Sequence, residues 1–185
     1  MAAVLHLTDF RERASPPTLV LVDLHAGFPQ AEKVDADDLA AAVDMCRMVL
    51  ACARRQNVPV AFVRHVPPLP FLLATHAYPS WVEGIEPRRS DMIFERAVPS
   101  CYGSSQFAQT AGRCSELVLA GLFGETACLS TLIDAHHRNH RVTFLADASC
   151  SRAQDSVSAR EMHRRVVGLA SVAPVVDAIN RRSAS

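Results

Sequence analysis

Residues 116–135, with the sequence ELVLAGLFGETACLSTLIDA, indicate the fold class of this chain. The segment ELVLAG (116–121) is short and almost continuously apolar, as a strand buried on both faces is, and Gly121 closes it. The following stretch, 125–138, places its apolar residues at helical spacing. A buried strand, a turn and a helix in succession are the repeating unit of a parallel α/β sheet.

The rest of the chain continues this alternation of strands and helices. The predicted strands are 18–23, 58–65, 92–95, 116–121, 142–147 and 173–176. The predicted helices are 35–57, capped by Asp37 or Asp38, then 104–113, 125–138 and 155–169, with a helical turn over 177–182. We therefore expect a Rossmann-like, three-layer α/β/α domain with a mostly parallel sheet over residues 18–182, preceded by an N-terminal arm over 1–17.

Composition excludes several classes of partner and cofactor. The 185 residues carry 19 basic and 19 acidic side chains, so a neutral chain gives no electrostatic case for nucleic acid or for a membrane surface. The sequence contains neither an apolar run of membrane-spanning length nor a secretion signal, which predicts a cytoplasmic protein. It also lacks a glycine-rich phosphate or dinucleotide motif, so we expect no cofactor. Its six cysteines include no Cys-x-x-Cys pair, so most should be buried free thiols.

Residues with reactive side chains stand at or just beyond the predicted strand ends, where parallel sheets bind ligands. Cys128 follows one strand and lies in the predicted first turn of a helix, where the helix dipole would lower the pKa of its thiol and make it a nucleophile. Asp23 ends an apolar strand, where desolvation would raise the pKa of its carboxyl and suit it to proton transfer. Arg96 would stabilise both groups in their anionic forms. The alternative interpretations are that Cys128 is a core cysteine, that Asp23 is a turn residue and that Arg96 pairs with Glu95.

Three motifs together resemble the isochorismatase-like cysteine hydrolases, whose Asp, Lys and Cys correspond to Asp23, Arg96 and Cys128. The motifs are DLHAGF (23–28), RAVPSCY (96–102), and the stretch from Gly121 to Cys128 that continues through STLIDA (130–135). The resemblance covers residues 18–176, and the third motif is the specific one. His25 stands where the family has Gln, and Arg96 stands where it has Lys. Arginine holds its charge firmly and does not shuttle protons.

The resemblance implies a Rossmann-like fold, assembly into a homodimer or a higher oligomer, and a thioester intermediate on the cysteine with the aspartate as general base. It also implies a cis peptide at residues 122–123 and an oxyanion hole formed by backbone N–H groups of Phe123 or Gly124 and of Cys128.

We expect five side chains to line the substrate pocket: His25, Phe28, His65, Trp81 and Tyr102. The aromatic and proline-rich stretch 67–89 should be a loop, which either covers the substrate or is anchored by its own aromatic residues. Cys101 is expected to be a packed small residue, with a supporting thiol as the alternative. His136 and His140 have the spacing of two metal ligands on one helix face, but no carboxylate completes a known signature, so no metal is predicted.

The sequence thus predicts a cysteine-dependent hydrolase of a small-molecule amide or related C–N bond. One alternative is an isochorismatase-type vinyl-ether hydrolase, in which Asp23 leads an acid-assisted reaction without the thiol. Another is a pseudo-hydrolase that binds a ligand or partner without turnover, because Arg96 replaces lysine. The sequence does not name the substrate.

Overall fold

The computed structural model describes residues 16–25, 34–66, 80–122, 124–150, 168–170 and 172–182. In chain order the elements are β1 (Thr18–Val22), α1 (Ala36–Arg55), β2 (Val60–His65), β3 (Met92–Arg96), α2 (Ser105–Ala111), β4 (Leu117–Gly121), α3 (Leu129–His137), β5 (Val142–Leu145), β6 (Gly168–Ala170) and α4 (Val172–Arg182). Two 3₁₀ turns, Cys101–Gly103 and Ala146–Ala148, and one π-helical turn, Gly124–Cys128, complete the set within these residues.

The sheet has six strands in the order β3-β2-β1-β4-β5-β6, and each neighbouring pair is parallel. Strand order therefore reverses between β1 and β4, where Val22 is in register with Val63 on one side and Gly121 on the other. A crevice opens at such a reversal, beyond the carboxyl ends of the strands, and it is the usual ligand site of this architecture. The predicted parallel, Rossmann-like α/β fold is confirmed.

The core has two layers because successive strand residues point to opposite faces of the sheet. Leu19 and Leu21 pack with α1, β2 and Val172 of α4 on one face. Val20 and Val22 pack on the other face with Phe107 of α2 and Leu132 of α3. Both faces of β1 are thus buried in apolar surroundings, which explains its unbroken apolar sequence.

The strand pair at the reversal requires a glycine. Gly121 has φ +133°, and a Cβ there would lie 2.2 Å from the carbonyl oxygen of Val22 and 2.6 Å from its amide nitrogen. No side chain fits into that space without moving β1. Gly121 therefore lets the ends of β1 and β4, which carry the candidate site, approach closely.

The first helix is shorter than predicted and has a different cap. Asp35, rather than Asp37 or Asp38, is the N-cap, and its Oδ1 accepts from the amides of Asp37 at 2.8 Å and Asp38 at 3.3 Å. The helix ends at Arg55, and Asn57 takes the left-handed conformation with φ 53° just beyond it. Asparagine tolerates that conformation better than most residues, so the chain turns there into β2.

The predicted last strand, 173–176, is wrong, whereas the predicted helical turn over 177–182 is confirmed as part of α4. Residues 173–176 belong to helix α4 rather than to a strand, whereas the last strand is β6, which includes residues 168–169 of the predicted helix. Pro174 lies in the first turn of α4, where it interrupts no helical hydrogen bond, and Asp147 accepts from the amide of Val172 at 2.9 Å. Predicted helix residues 155–167 lie outside the described residues.

Candidate active site

Asp23 lies directly after β1, at the point where the strand order reverses. It has φ 55°, a left-handed conformation that aspartate tolerates, and its amide still donates to the carbonyl of Val63 at 2.9 Å. Its Oδ1 accepts from the amide of His65 at 2.9 Å, and its Oδ2 accepts from Nη2 of Arg96. These bonds fix the carboxylate across the ends of β1, β2 and β3.

Arg96, the last residue of β3, forms an ion pair with Asp23 rather than with Glu95. Its side chain is buried, and its Nη1 donates to the carbonyl of Val98 at 2.7 Å. Glu95 points to the other side of the strand and pairs with Arg64 at 2.5 Å. Nε of Arg96 is buried without a hydrogen-bond partner among the described residues. One donor of this guanidinium thus remains available beside the carboxylate.

Burial has the largest effect on the pKa of the Asp23 carboxyl. Desolvation raises the pKa of Asp23 above its ordinary value, while Arg96, the hydrogen bond from the His65 amide, and the His25 and His65 side chains act in the opposite direction. The direction agrees with the sequence prediction. A carboxyl with a raised pKa takes up and returns protons more readily near neutral pH than an exposed one does.

Cys128 lies on the other side of the reversal, at the end of the π-helical turn Gly124–Cys128 that connects β4 to α3. The α-helix proper begins at Leu129, so Cys128 is its N-cap residue rather than part of a regular first turn. The side chain is fully buried, and its sulfur lies 3.9 Å from the carbonyl oxygen of Leu122 as a weak donor. Single π turns of this kind are frequent at functional sites.

The predicted lowering of the Cys128 pKa is wrong for this structure. Burial raises the pKa of the thiol well above its ordinary value, Cys101 and Asp23 raise it further, and Arg96 opposes them. Desolvation outweighs the helix dipole because the sulfur is completely removed from water. Cys128 therefore rests as a protonated thiol, and a nucleophilic thiolate requires a base close by. Asp23 is the carboxylate that influences it.

A second buried cysteine and a threonine support this region. The amide of Cys101 donates to Oγ1 of Thr131 at 3.0 Å, and that hydroxyl donates to the carbonyl of Ala127 at 2.7 Å. Thr131 thereby ties the turn after β3 to the residue preceding Cys128. Burial raises the pKa of the Cys101 thiol to about 12, which agrees with a packed, unreactive residue. Thr131 belongs to the motif STLIDA (130–135), and a threonine inside an apolar helix face is the sequence signal that could have indicated this supporting role.

A comparison with protein families identifies the fold and the class. The profile of the Isochorismatase domain matches residues 17–179. The chain belongs to the isochorismatase family. It is an isochorismatase-family hydrolase with an α/β fold, as the motifs around Asp23, Arg96 and Cys128 indicated. A search of curated protein sequences gives no significant match.

Solved structures of similar fold come from several organisms. A cysteine hydrolase from Pseudomonas syringae pv. phaseolicola has a TM-score of 0.77 at 19% identity, covering 90% of this chain and 93% of that one. An isochorismatase family protein from Burkholderia thailandensis has a TM-score of 0.74 at 18% identity, with coverage of 89% and 96%. N-carbamoylsarcosine amidase from Thermoplasma acidophilum has a TM-score of 0.68 at 24% identity, with coverage of 85% and 97%.

Three of the predicted pocket residues lie close to one another in this hydrolase. The buried side chain of His25 and that of His65 both act on the Asp23 carboxyl, and His25 forms an isolated antiparallel bridge with Trp81. The Trp81 ring packs edge-on against Phe62 at 5.3 Å between centroids. The segment that contains Trp81 is therefore held against the end of β1, beside the carboxylate.

Tyr102 departs from the pocket prediction. Its hydroxyl contacts Nδ1 of His140 at 2.6 Å, its ring packs on Phe107, and the Arg138 guanidinium lies 4.9 Å above the ring. These contacts direct the side chain along α3 toward the C-terminal end of the helix, away from the strand ends where Asp23 lies. Phe28, Phe123 and the predicted cis peptide lie outside the described residues, and Gly124 begins the π turn.

The histidine cluster at the end of α3 is engaged with neighbouring rings. His140 bonds to Tyr102, and the rings of His136 and His137 lie 6.1 Å apart. Within the described ranges, no group of three or more His, Cys, Asp or Glu side chains is arranged to hold a metal ion. The helices in those same ranges are all too short or too polar to cross a membrane.

Proposed function

We propose that this protein hydrolyses a small-molecule amide or related C–N bond through a thioester on Cys128. The observation that carries the proposal is the buried Asp23–Arg96 pair at the strand-order reversal, with the fully buried Cys128 thiol within its electrostatic influence. An acid–base group, a fixed cation and a nucleophile beside a ligand crevice are what acyl transfer requires.

In the proposed first half-reaction a single proton is transferred twice, first from the thiol to Asp23 and then from Asp23 to the leaving nitrogen. Asp23 takes the proton of the Cys128 thiol as the sulfur attacks the substrate carbonyl carbon, which forms the C–S bond and places negative charge on the oxygen. Collapse of this intermediate breaks the C–N bond, and Asp23 returns the proton to the departing nitrogen, so that ammonia or an amine leaves. The raised pKa of the Asp23 carboxyl suits both transfers.

The second half-reaction uses the same groups with water. Asp23 removes a proton from a water molecule that attacks the thioester carbon. The C–S bond then breaks, the acid product leaves, and the proton on Asp23 returns to the sulfur. Arg96 keeps a positive charge beside Asp23 throughout, and its free Nε donor can bind an acceptor atom of the substrate. We further propose that the protein is cytoplasmic and works as a homodimer or higher oligomer.

Vinyl-ether hydrolysis is the second candidate, and the raised pKa of Asp23 favours it, because a carboxyl that retains its proton can act as a general acid without the thiol. Substitution of Cys128 separates the two reactions. Cys128→Ala should abolish hydrolysis of the best substrate in a panel of small amides and carbamoyl compounds, by about 10⁴-fold or more. Cys114→Ala, which removes a half-buried thiol at the far end of the sheet, should leave that rate unchanged.

Loss of activity in Cys128→Ala with retention in Cys114→Ala supports the thioester route. Full activity of Cys128→Ala, on an amide or on a vinyl ether, contradicts it. Arg96→Lys tests the pseudo-hydrolase alternative: if the native chain is inactive and the lysine variant hydrolyses the panel, the protein has lost a catalytic group and the proposal fails.

A further inference from the structure

A second concave site lies away from the strand ends, between α1 and the segment 84–88. The cavity has a volume of about 330 Å³, within the range of small-molecule pockets. Its lining consists of four arginines, one glycine and two apolar residues: Arg47, Arg54, Arg55, Arg88, Gly84, Leu50 and Ala51. We call it the arginine cavity. The mechanism above uses none of these residues.

Helical spacing on α1 and a glycine opposite create the cavity. Arg47, Arg54 and Arg55 lie seven and eight residues apart, so they share one face of the helix. Gly84 has φ +80°, and a Cβ there would approach Nε of Arg47 to 3.2 Å. Because Gly84 has no side chain, the Arg47 guanidinium can lie along the wall.

Two of the arginines are held in place by carboxylates and carbonyls. Arg47 pairs with Asp44 at 2.7 Å, and its Nη2 donates to the carbonyl of Glu83, also at 2.7 Å. Arg54 pairs with Asp91 at 2.5 Å. Nε of Arg54 has no hydrogen-bond partner among the described residues, so this donor remains available while Nη2 stays bound to Asp91 and to the Glu86 carbonyl.

The other two arginines are not neutralised. Within the part of the chain that the structure describes, Arg55 and Arg88 form no ion pair, and both side chains are exposed. Arg55 lies beside the Cys52 thiol. Glu83 and Glu86 are further acidic residues of this segment, and two backbone hydrogen bonds, with smaller contributions from Arg54 and Arg47, lower the pKa of the Glu86 carboxyl. Asp44 and Asp91 pair with Arg47 and Arg54, so among the described residues Arg55 and Arg88 remain the guanidinium groups of the cavity without an ion partner.

We propose that the arginine cavity binds a small organic anion. Its carboxylate or phosphate group would lie against Arg55 and Arg88, because the guanidinium fork matches both groups in geometry and charge. Its apolar part would lie on Leu50 and Ala51 at the base of the cavity. The proposal is independent of the thioester chemistry and assigns the chain a second ligand site.

Calorimetric titration of the full-length protein with phenyl phosphate, and separately with benzoate, tests the proposal. Saturable binding of either probe is expected, and comparison of the two affinities identifies the preferred anionic group. The double variant Arg55→Ala/Arg88→Ala should weaken binding by about tenfold or more, because it removes the uncompensated charges. The matched control Arg113→Ala/Arg141→Ala removes two exposed arginines elsewhere and should bind like the wild type.

Cys128→Ala should also bind the probe normally, which separates this site from the candidate active site. Among the described residues, neither Arg55 nor Arg88 has an ion partner, so the double variant should keep the wild-type unfolding midpoint. Arg88→Glu is a second variant that should weaken binding at least as much. Absence of saturable binding of both probes overturns the proposal. So does binding that survives in Arg55→Ala/Arg88→Ala, or binding that Cys128→Ala abolishes.

Discussion

The ion pair at the end of β1 and the ion pair on the outer surface of α1 join the same residue types in opposite surroundings. Arg96 and Asp23 have side chains that are 3% and 1% exposed, whereas Arg47 and Asp44 are 42% and 66% exposed. Water screens the surface pair, and such pairs contribute at most about 1 kcal/mol. The buried pair loses its hydration and is retained only with close partners on both sides.

The difference shows that the molecule buries a charged pair at the strand ends, although removing charges from water is energetically unfavourable. At the strand ends, desolvation raises the pKa values of both Asp23 and Cys128, and Arg96 partly offsets each shift. Perturbed groups of this kind are characteristic of reactive sites. On α1 the charges of Arg47 and Asp44 stay hydrated, so water screens their interaction.

Among changes to the two ion pairs, removal of the buried carboxylate should give the largest effect on activity. Asp23→Asn should lower kcat/KM for the best amide substrate by about 10²- to 10⁴-fold, because the thiol and the attacking water lose their base. Steady-state kinetics on the purified variant measure this. Asp44→Asn removes the surface carboxylate and serves as the control, with kinetics like the wild type. If Asp23→Asn retains its activity, another group deprotonates Cys128.

Removal of the buried cation should give the largest effect on stability. Arg96→Met leaves the ionised Asp23 buried without its partner, which should reduce the free energy of unfolding by about 3–5 kcal/mol. Urea denaturation followed by circular dichroism measures the change. The loss should shrink as pH falls through the raised pKa of the Asp23 carboxyl, above the ordinary value of about 4, because a protonated Asp23 is neutral and no longer needs the guanidinium. A loss that is independent of pH would show that packing, rather than charge, is responsible.

Disruption of the surface ion pair between Arg47 and Asp44 should have the smallest effect on the free energy of unfolding. Asp44→Asn should change the free energy of unfolding by less than about 1 kcal/mol, because solvent replaces the contact with Arg47. The same denaturation experiment measures it beside Arg96→Met. If the two losses were equal, burial would not distinguish the pairs, and the contrast between the two regions would not hold.

Much of the fold and the identity of the candidate site could be predicted from the sequence. Strands β1, β2 and β4 have apolar runs whose alternate residues are buried on both faces, and this pattern is readable without a structure. The last strand was misplaced because Val175 and Val176 have high strand propensity. Helical packing against α1, which no local pattern reveals, overrides that propensity.

The residues of the candidate site could be predicted from the sequence, but their protonation states could not. Sequence position places Cys128 near a helix start, which favours a thiolate, yet the thiol pKa depends on how completely the surrounding residues exclude water. Likewise, nothing in the motif shows that Tyr102 is directed along α3 to His140. Both properties arise from long-range packing, which appears only in the folded structure.

We expect Cys128 to rest as a protonated thiol and to become a nucleophile by transferring its proton to Asp23. The most direct test is the pH dependence of iodoacetamide alkylation at Cys128, followed peptide by peptide by mass spectrometry, with the half-buried Cys114 as a reactive reference within the same molecule. Little alkylation of Cys128 is expected at pH 7, with a rise only well above the free-thiol pKa of about 8.5 and a shift of the profile to still higher pH in Arg96→Met. A plateau already reached at pH 7 would contradict it, because Cys128 would then be a preformed thiolate.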